Sequence, residues 1–267
     1  MEHRLDLRLL NKRVDITVVG AGGTGSQVIA GLAQLHFALV SLGHQYGLHI
    51  VVVDDDTVSD ANIGRQMFYP SDVGQAKAAV LVNRVNLTMG LAWEARIDRI
   101  TNASNLRSDI VIGCVDNRKA RKSILQAMGN NGGYWMDFGN RQHDGQVILG
   151  QVKAAWDTKK ETRLPHVGDL FPELIDPSLD AEDDMPSCSL AEALEKQSLF
   201  VNRSVAVWGL NMLWELFRHG KLDYHGVFVN LQSGRASSLP VDPEAWARFG
   251  FPAKKARKQK AQQANPA

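Results

Sequence analysis

Only two of the 267 residues are cysteine, Cys114 and Cys188. That excludes a disulfide framework and a four-cysteine zinc site. The eight histidines form no H-x-x-x-H or H-E-x-x-H spacing, so the zinc-hydrolase pattern is missing and no zinc is expected. No apolar run approaches the roughly 18 residues of a membrane span, and no signal-type apolar core follows Met1-Glu2-His3-Arg4. A dominant charge is lacking too. Thirty Lys and Arg against 29 Asp and Glu leave a net charge of +1, which gives no general pull towards nucleic acid or membrane. Internal repeats are absent. The expectation from these absences is a reduced, cytoplasmic, soluble protein without a nucleic-acid or membrane partner.

A composition of 44% hydrophobic and 22% charged residues is globular rather than disordered. At roughly 150 residues per domain, the length allows one large domain or two small ones. The near-zero net charge hides an asymmetry. Lys254, Lys255, Arg257, Lys258 and Lys260 stand together without an acid, and without them the balance is −4. One domain is therefore expected over 1–252, followed by a basic, disordered tail over 253–267.

The stretch from Val14 to Asp144 alternates strands with helices. Val14 to Gly20 and Leu48 to Val53 are β-branched runs suited to buried parallel strands. Asp109 to Cys114 is a third such strand, and Ala92 to Ile97 is a candidate. Helical spacing of apolar residues covers Ser26 to about Tyr46, Gln75 to Leu87 and Arg118 to Met128. This pattern predicts an α/β fold: a Rossmann-like parallel sheet with helices on both faces. Further strands are expected over Gln146–Ala155 and Gly226–Gln232, around a helix that starts after Cys188 and continues through Ser204 to Phe217. That makes a C-terminal helix–strand extension. Residues 159–187, with Pro165, Pro172, Pro177 and Pro186, read as a long crossover loop, and loops of this length are more often functional than connective.

Gly20-Ala21-Gly22-Gly23-Thr24-Gly25 falls at a strand-to-helix junction. Glycines there permit a tight turn and let phosphate oxygens approach the N–H groups of a helix N-terminus. The pattern serves a dinucleotide as well as ATP. Asp54, ending the second strand, is placed to accept ribose hydroxyls. The motifs that follow separate the two ligands: Asn62-Ile63-Gly64-Arg65-Gln66, then Gly74-Gln75-Ala76-Lys77, then Cys114-Val115-Asp116-Asn117. Hydride transfer needs no Asn, Arg and Lys converging on phosphate. Splitting ATP between its α- and β-phosphates needs cationic donors where charge develops and a carboxylate for magnesium. Taken singly, Arg65 or Lys77 is an ordinary surface charge, Asp116 a helix cap, Cys114 a buried strand end, and Trp208 and Trp214 core residues.

Together, GAGGTG, VVDDDTVSDANIGRQ, GQAK, CVDN, Gly145-Gln146 and the run from Cys188 towards NLQSGR resemble the ThiF/MoeB/HesA superfamily of ubiquitin-activating-enzyme-like proteins. The likeness covers most of residues 14–240 and is greatest to the ThiF-type members of bacterial PRTRC systems. It implies that Gly20, Gly22, Gly23 and Gly25 line the ATP phosphates and that Asp54 holds the ribose. Asn62, Arg65 and Lys77 would contact phosphate, with Asp116 on Mg2+ and Asn117 in the same motif. It also implies a β-grasp, ubiquitin-like protein as substrate, a conjugating-enzyme-like partner, a homodimer, and Cys188 as acceptor of the activated group. The paired C-x-x-C zinc motifs of many relatives are missing, and neither Arg4 nor Arg8 can be matched to an arginine acting across the dimer. The alternatives at this stage are an NAD(P)-dependent oxidoreductase and a non-catalytic binding module of the same fold.

Overall fold

β-Branched residues build the centre of the molecule. A computed structural model describes residues 1–155, 163–180, 194–195 and 197–251. In chain order the strands and helices are β1 (His3–Arg4), β2 (Val14–Val19), α1 (Gly23–Ser41), β3 (Leu48–Val53), α2 (Lys77–Met89), β4 (Glu94–Arg96), β5 (Ile110–Gly113), α3 (Arg118–Met128), β6 (Gly133–Asn140), β7 (Asp144–Val152), α4 (Val167–Leu170), α5 (Val201–His219), β8 (Lys221–Leu222), β9 (Tyr224–Asn230), β10 (Arg235–Pro240) and α6 (Pro243–Ala247). The main sheet has the order β10-β9-β7-β6-β5-β2-β3-β4. Its β6-β5-β2-β3-β4 half is parallel, whereas β7, β9 and β10 are added antiparallel. β1 and β8 form a separate two-stranded ribbon.

Period-two alternation divides the strand side chains between two cores. Val14, Ile16 and Val18 of β2, Ile110 and Ile112 of β5, and Tyr134, Met136 and Phe138 of β6 face one core with α1, α2 and α5. Val19, Val111, Trp135 and Ile148 face the other, covered by Ile124, Ala127 and Met128 of α3, by Leu164, Val167 and Leu170, and by Trp246 of α6. The expected parallel sheet with helices on both faces is what the chain adopts, as is the C-terminal helix–strand extension.

Several boundaries differ from expectation for physical reasons. α1 stops at Ser41 rather than near Tyr46, because the His44 ring ties the following turn: its Nε2 meets the Leu9 carbonyl and its Nδ1 accepts the Gly47 N–H. β6 was not expected at all, since Asp137 interrupts its apolar run. β10 escaped because only Leu239 in it is buried. The crossover loop is not wholly irregular: residues 163–180 include α4 and two short 3-10 turns, with Leu164, Val167 and Leu170 buried. The tail 253–267 and all of 181–193, including Cys188, lie outside the described residues.

Candidate active site

The sheet order reverses between β2 and β5. From β2 the chain moves outward through β3 and β4, then returns to β5 on the other side of β2. The crevice above the carboxyl ends of two such strands is where open α/β sheets bind ligands. The glycine loop leaves β2 there and the Cys114–Asn117 segment leaves β5, with the Cys114 N–H bonded to the Val19 carbonyl at 2.8 Å.

The four motif glycines have different duties. Gly20 has φ +95°, and a Cβ on it would lie 2.7 Å from the Cys114 carbonyl oxygen. A Cβ on Gly25 would lie 1.9 Å from the Gly20 carbonyl oxygen, so this glycine lets α1 start directly against the strand end. A Cβ on Gly23 would meet the Asn202 side chain at 2.6 Å. At Gly22 a Cβ would meet nothing within 4 Å. Gly22 is the N-cap of α1; it supplies no side-chain cap, and no acidic residue stands in the first turn. The α1 N-terminus is thus open to an anion.

Asp54 is braced from both oxygens: Oδ2 accepts the Ala21 N–H at 2.6 Å and Oδ1 accepts the Asp56 N–H at 2.9 Å. Burial raises its pKa, opposed by those two bonds and by the Lys77 charge. The segment after Asp54 runs beside the start of α2 (Val58 N–H to Gln75 O, 2.8 Å; Lys77 N–H to Asp56 O, 3.0 Å), which brings Lys77 to the same rim. Lys77 is 7% exposed, and its Nζ donates to Asp56 Oδ2 at 2.8 Å.

Asn62 is buried, with its Oδ1 accepting the Ser59 N–H at 3.0 Å, and so pins the turn that presents Arg65. The Met67 N–H donates to Ser26 Oγ at 3.2 Å, fastening this loop to the first turn of α1. Arg65 is half-buried. Burial lowers its pKa, and the charge of Asp116 opposes that shift, which places the two within electrostatic reach. Asp116 itself is exposed, and its Oδ1 accepts the Asn117 Nδ2 at 3.1 Å. It does not cap the following helix. Asn117 does that, accepting the Ala120 N–H at 2.8 Å, so Asn117 is occupied structurally.

Cys114 is packed at the strand end, and burial together with Asp137 pushes its thiol up, which removes it as a nucleophile near neutral pH. Trp208 and Trp214 pack against the core. The sequence-expected glycines, Asp54, Asn62, Arg65, Lys77, Asp116 and Asn117 therefore gather around one crevice. Cys188 lies outside the described residues.

Two supporting arrangements were not legible in the sequence. Thr24 Oγ1 donates to Asn202 Oδ1 at 2.9 Å, Asn140 Nδ2 donates to both, and Asn202 Nδ2 donates to Gln197 Oε1 at 2.8 Å. This buried network ties the glycine loop to β6 and to the start of α5. Arg121, 5% exposed, donates from Nε to both Asp137 oxygens at 3.1 Å and from Nη2 to the carbonyls of Val115 and Phe138 at 3.0 Å. Burial pushes Asp137 up to about 6 against the pull of Arg121. The pair holds the backbone immediately before Asp116.

A crevice at the switch point of a doubly wound α/β sheet, bordered by an open helix N-terminus, is the class of site these features define. The chain belongs to the ThiF family, whose model matches residues 5–239. It is 37% identical over 124 residues to the SAMP-activating enzyme E1 of Haloferax volcanii, a match covering 43% of this chain and 40% of that one. It is 28% identical over 142 residues to ubiquitin-like modifier-activating enzyme 5 of Oryza sativa subsp. japonica, covering 46% and 31%. The matches thus span well under half the length of these curated relatives. Among solved structures, PaaA has the same fold, with a TM-score of 0.55 at 12% identity over 86% of this chain and 73% of that one. Among the described residues, no helix is long and apolar enough to cross a membrane.

Proposed function

We propose that this chain adenylates the C-terminal carboxylate of a small β-grasp protein of the ubiquitin-like or sulfur-carrier type, using ATP. The observation that carries this reading is the meeting, at one crevice, of an uncapped helix N-terminus, two partly desolvated cations (Lys77 and Arg65) and the exposed carboxylate of Asp116. Membership of the family and similarity to enzymes named for activating ubiquitin-like modifiers and SAMP support it.

In the reaction a carboxylate oxygen attacks the α-phosphorus, forming the acyl–phosphate bond. The bond from that phosphorus to the bridging oxygen breaks, and pyrophosphate leaves with the electron pair. The open N–H groups of α1 would bind phosphate oxygens. Arg65 and Lys77 would neutralise charge that grows on the α-phosphate and leaving group. Lys77 must first exchange Asp56 for the ligand.

Asp116 fits a magnesium site, because Mg2+ is commonly held by one or two carboxylates plus substrate phosphates rather than by a protein cage. When bound, the ion would supply Lewis-acid charge at the phosphates. Asp54, through Ala21, keeps the glycine loop in place and retains lone pairs for a ribose hydroxyl. Cys188 is proposed as the next acceptor: its thiolate attacks the acyl carbon and AMP leaves. A homodimer, a conjugating-enzyme-like partner and a cytoplasmic setting belong to the same proposal.

The decisive test is ATP–pyrophosphate exchange, with candidate β-grasp proteins bearing a free C-terminus as acyl substrates. Exchange that depends on such a protein supports adenylation. A folded enzyme that binds ATP and a β-grasp protein but never exchanges pyrophosphate would be a binding module instead.

A further inference from the structure

The two helices that begin at this crevice differ at their N-termini. α1 is open, whereas α3 is plugged by a carboxylate from the crossover segment. Asp180 Oδ1 accepts the Arg118 N–H at 3.1 Å and its Oδ2 accepts the Lys119 N–H at 3.1 Å. With Asn117 taking the Ala120 N–H, the first three donors of α3 are all engaged. The contact is reciprocal. The Arg118 guanidinium reaches back to the carbonyls of Glu173 and Leu179, each at 3.0 Å, and to Asp180 Oδ1 at 3.3 Å. Asp176, the neighbouring crossover carboxylate, is spent within its own turn on Ser178.

We propose that Asp180, with Arg118, is a positioning residue that clasps the crossover segment to the α3 lip of the active site, two residues from Asp116. The proposal rests on the adenylation reading. Phosphate goes to the open α1 lip, which Asp180 does not touch. On the adenylation reading the protein carboxylate must reach the same crevice, and crossover residues Glu173, Leu179 and Asp180 border that crevice at the α3 lip. The chain beyond the crossover is fastened too, through Ser198 N–H to the Gln142 carbonyl at 2.7 Å and Gln142 Nε2 to the Glu195 carbonyl at 3.0 Å. The clasp is therefore expected to govern how the protein substrate is seated, not how ATP binds. Leu164, Val167 and Leu170 anchor the segment to the second core apart from the clasp, so the variants below are expected to fold.

The test compares Asp180→Ala and Arg118→Ala with wild type in the full chain. Amide hydrogen exchange should accelerate at Arg118 and Lys119 in Asp180→Ala. In pyrophosphate exchange, KM for the β-grasp protein should rise about tenfold or more, since misplacing a positioning element is felt strongly in rate and binding. KM for ATP should stay within about twofold, and Asp180→Asn, which keeps one acceptor oxygen, should fall between. Unchanged amide exchange, an unchanged KM for the protein substrate, or a parallel rise of both KM values would each overturn the proposal. Absence of exchange in wild type would remove the adenylation reading itself, and the positioning role with it.

Discussion

Replacing Gly22 and Gly25 by alanine separates a glycine needed for the ligand from one needed for the fold. At Gly25 the new methyl would sit 1.9 Å from the Gly20 carbonyl oxygen, where ordinary contact begins near 3.4 Å. The loop or the helix must move by about 1.5 Å, and overpacking of this kind costs about 1–3 kcal/mol. For a chain of this size that lowers Tm by roughly 2–12 °C. At Gly22 the φ is −79° and nothing lies within 4 Å of a Cβ, so Gly22→Ala should move Tm by no more than about 2 °C. If phosphate binds at the α1 N-terminus, however, a methyl at the N-cap position would crowd it. ATP affinity should fall at least tenfold, about 1.4 kcal/mol. Differential scanning fluorimetry with and without ATP reads both quantities. Wild-type ATP stabilisation in folded Gly22→Ala would refute phosphate binding at the α1 N-terminus. A wild-type Tm in Gly25→Ala would refute the packing argument.

Asp116→Ala should lower pyrophosphate exchange on the order of 10²–10³-fold with little change in Tm, since the exposed carboxylate supports no other element; wild-type exchange by the folded variant would eliminate its assignment. ATP with Mg2+ should raise Tm well above any effect of NAD, because only a ligand bound to the native state stabilises it, and the reverse ranking would favour an oxidoreductase. Cys188→Ala should keep exchange yet lose any thiol-reducible adduct with the activated protein; an adduct that persists removes Cys188 as nucleophile. His225, wholly buried, has its pKa pushed down from 6.5 to about 4 by burial, so the unfolded chain binds the extra proton and stability falls as pH drops from 6.5 towards 4. That loss is about 2–3 kcal/mol by pH 4.5, and urea titrations at pH 7 and 4.5 should show it shrinking in His225→Gln.

The parallel half of the sheet was legible because β-branched runs end at residues with turn or site chemistry: Val19 before Gly20, Val53 before Asp54, Gly113 before Cys114. Family motifs then brought Arg65, Lys77 and Asp116 together without any geometry. What stayed hidden was polar and non-local. Asp137 broke the pattern of β6 because its partner, Arg121, lies on a helix where spacing alone makes it a solvent residue. Asn140 and Asn202 are 62 positions apart, and neither has an apolar periodicity to announce that it supports Thr24. Two of the motif glycines also carry a packing requirement that the motif does not announce, since Gly23 must be small for Asn202 and Gly25 for the Gly20 carbonyl.

The balance of charge around Lys77 bears on which anion this crevice prefers. The ammonium group is nearly out of solvent, with its side chain 9% exposed, whereas Asp56, its partner, is 60% exposed. An entering phosphate does not meet a free cation; it displaces a carboxylate that regains most of its hydration when released. The net gain is then the difference between two ion pairs and is small for a ligand of modest charge. It grows with the charge density of the ligand and with a second cation acting on it. Arg65, in the same β3–α2 connection that ends at Lys77 and within electrostatic reach of Asp116, supplies that second cation where an anion spans both groups. A nucleotide triphosphate does so over several phosphate units. A pyrophosphate diester with a single negative charge on each phosphate offers less to either cation. The occupied state of Lys77 thus argues for ATP over a dinucleotide on electrostatic grounds that the glycine motif, shared by both ligands, does not contain.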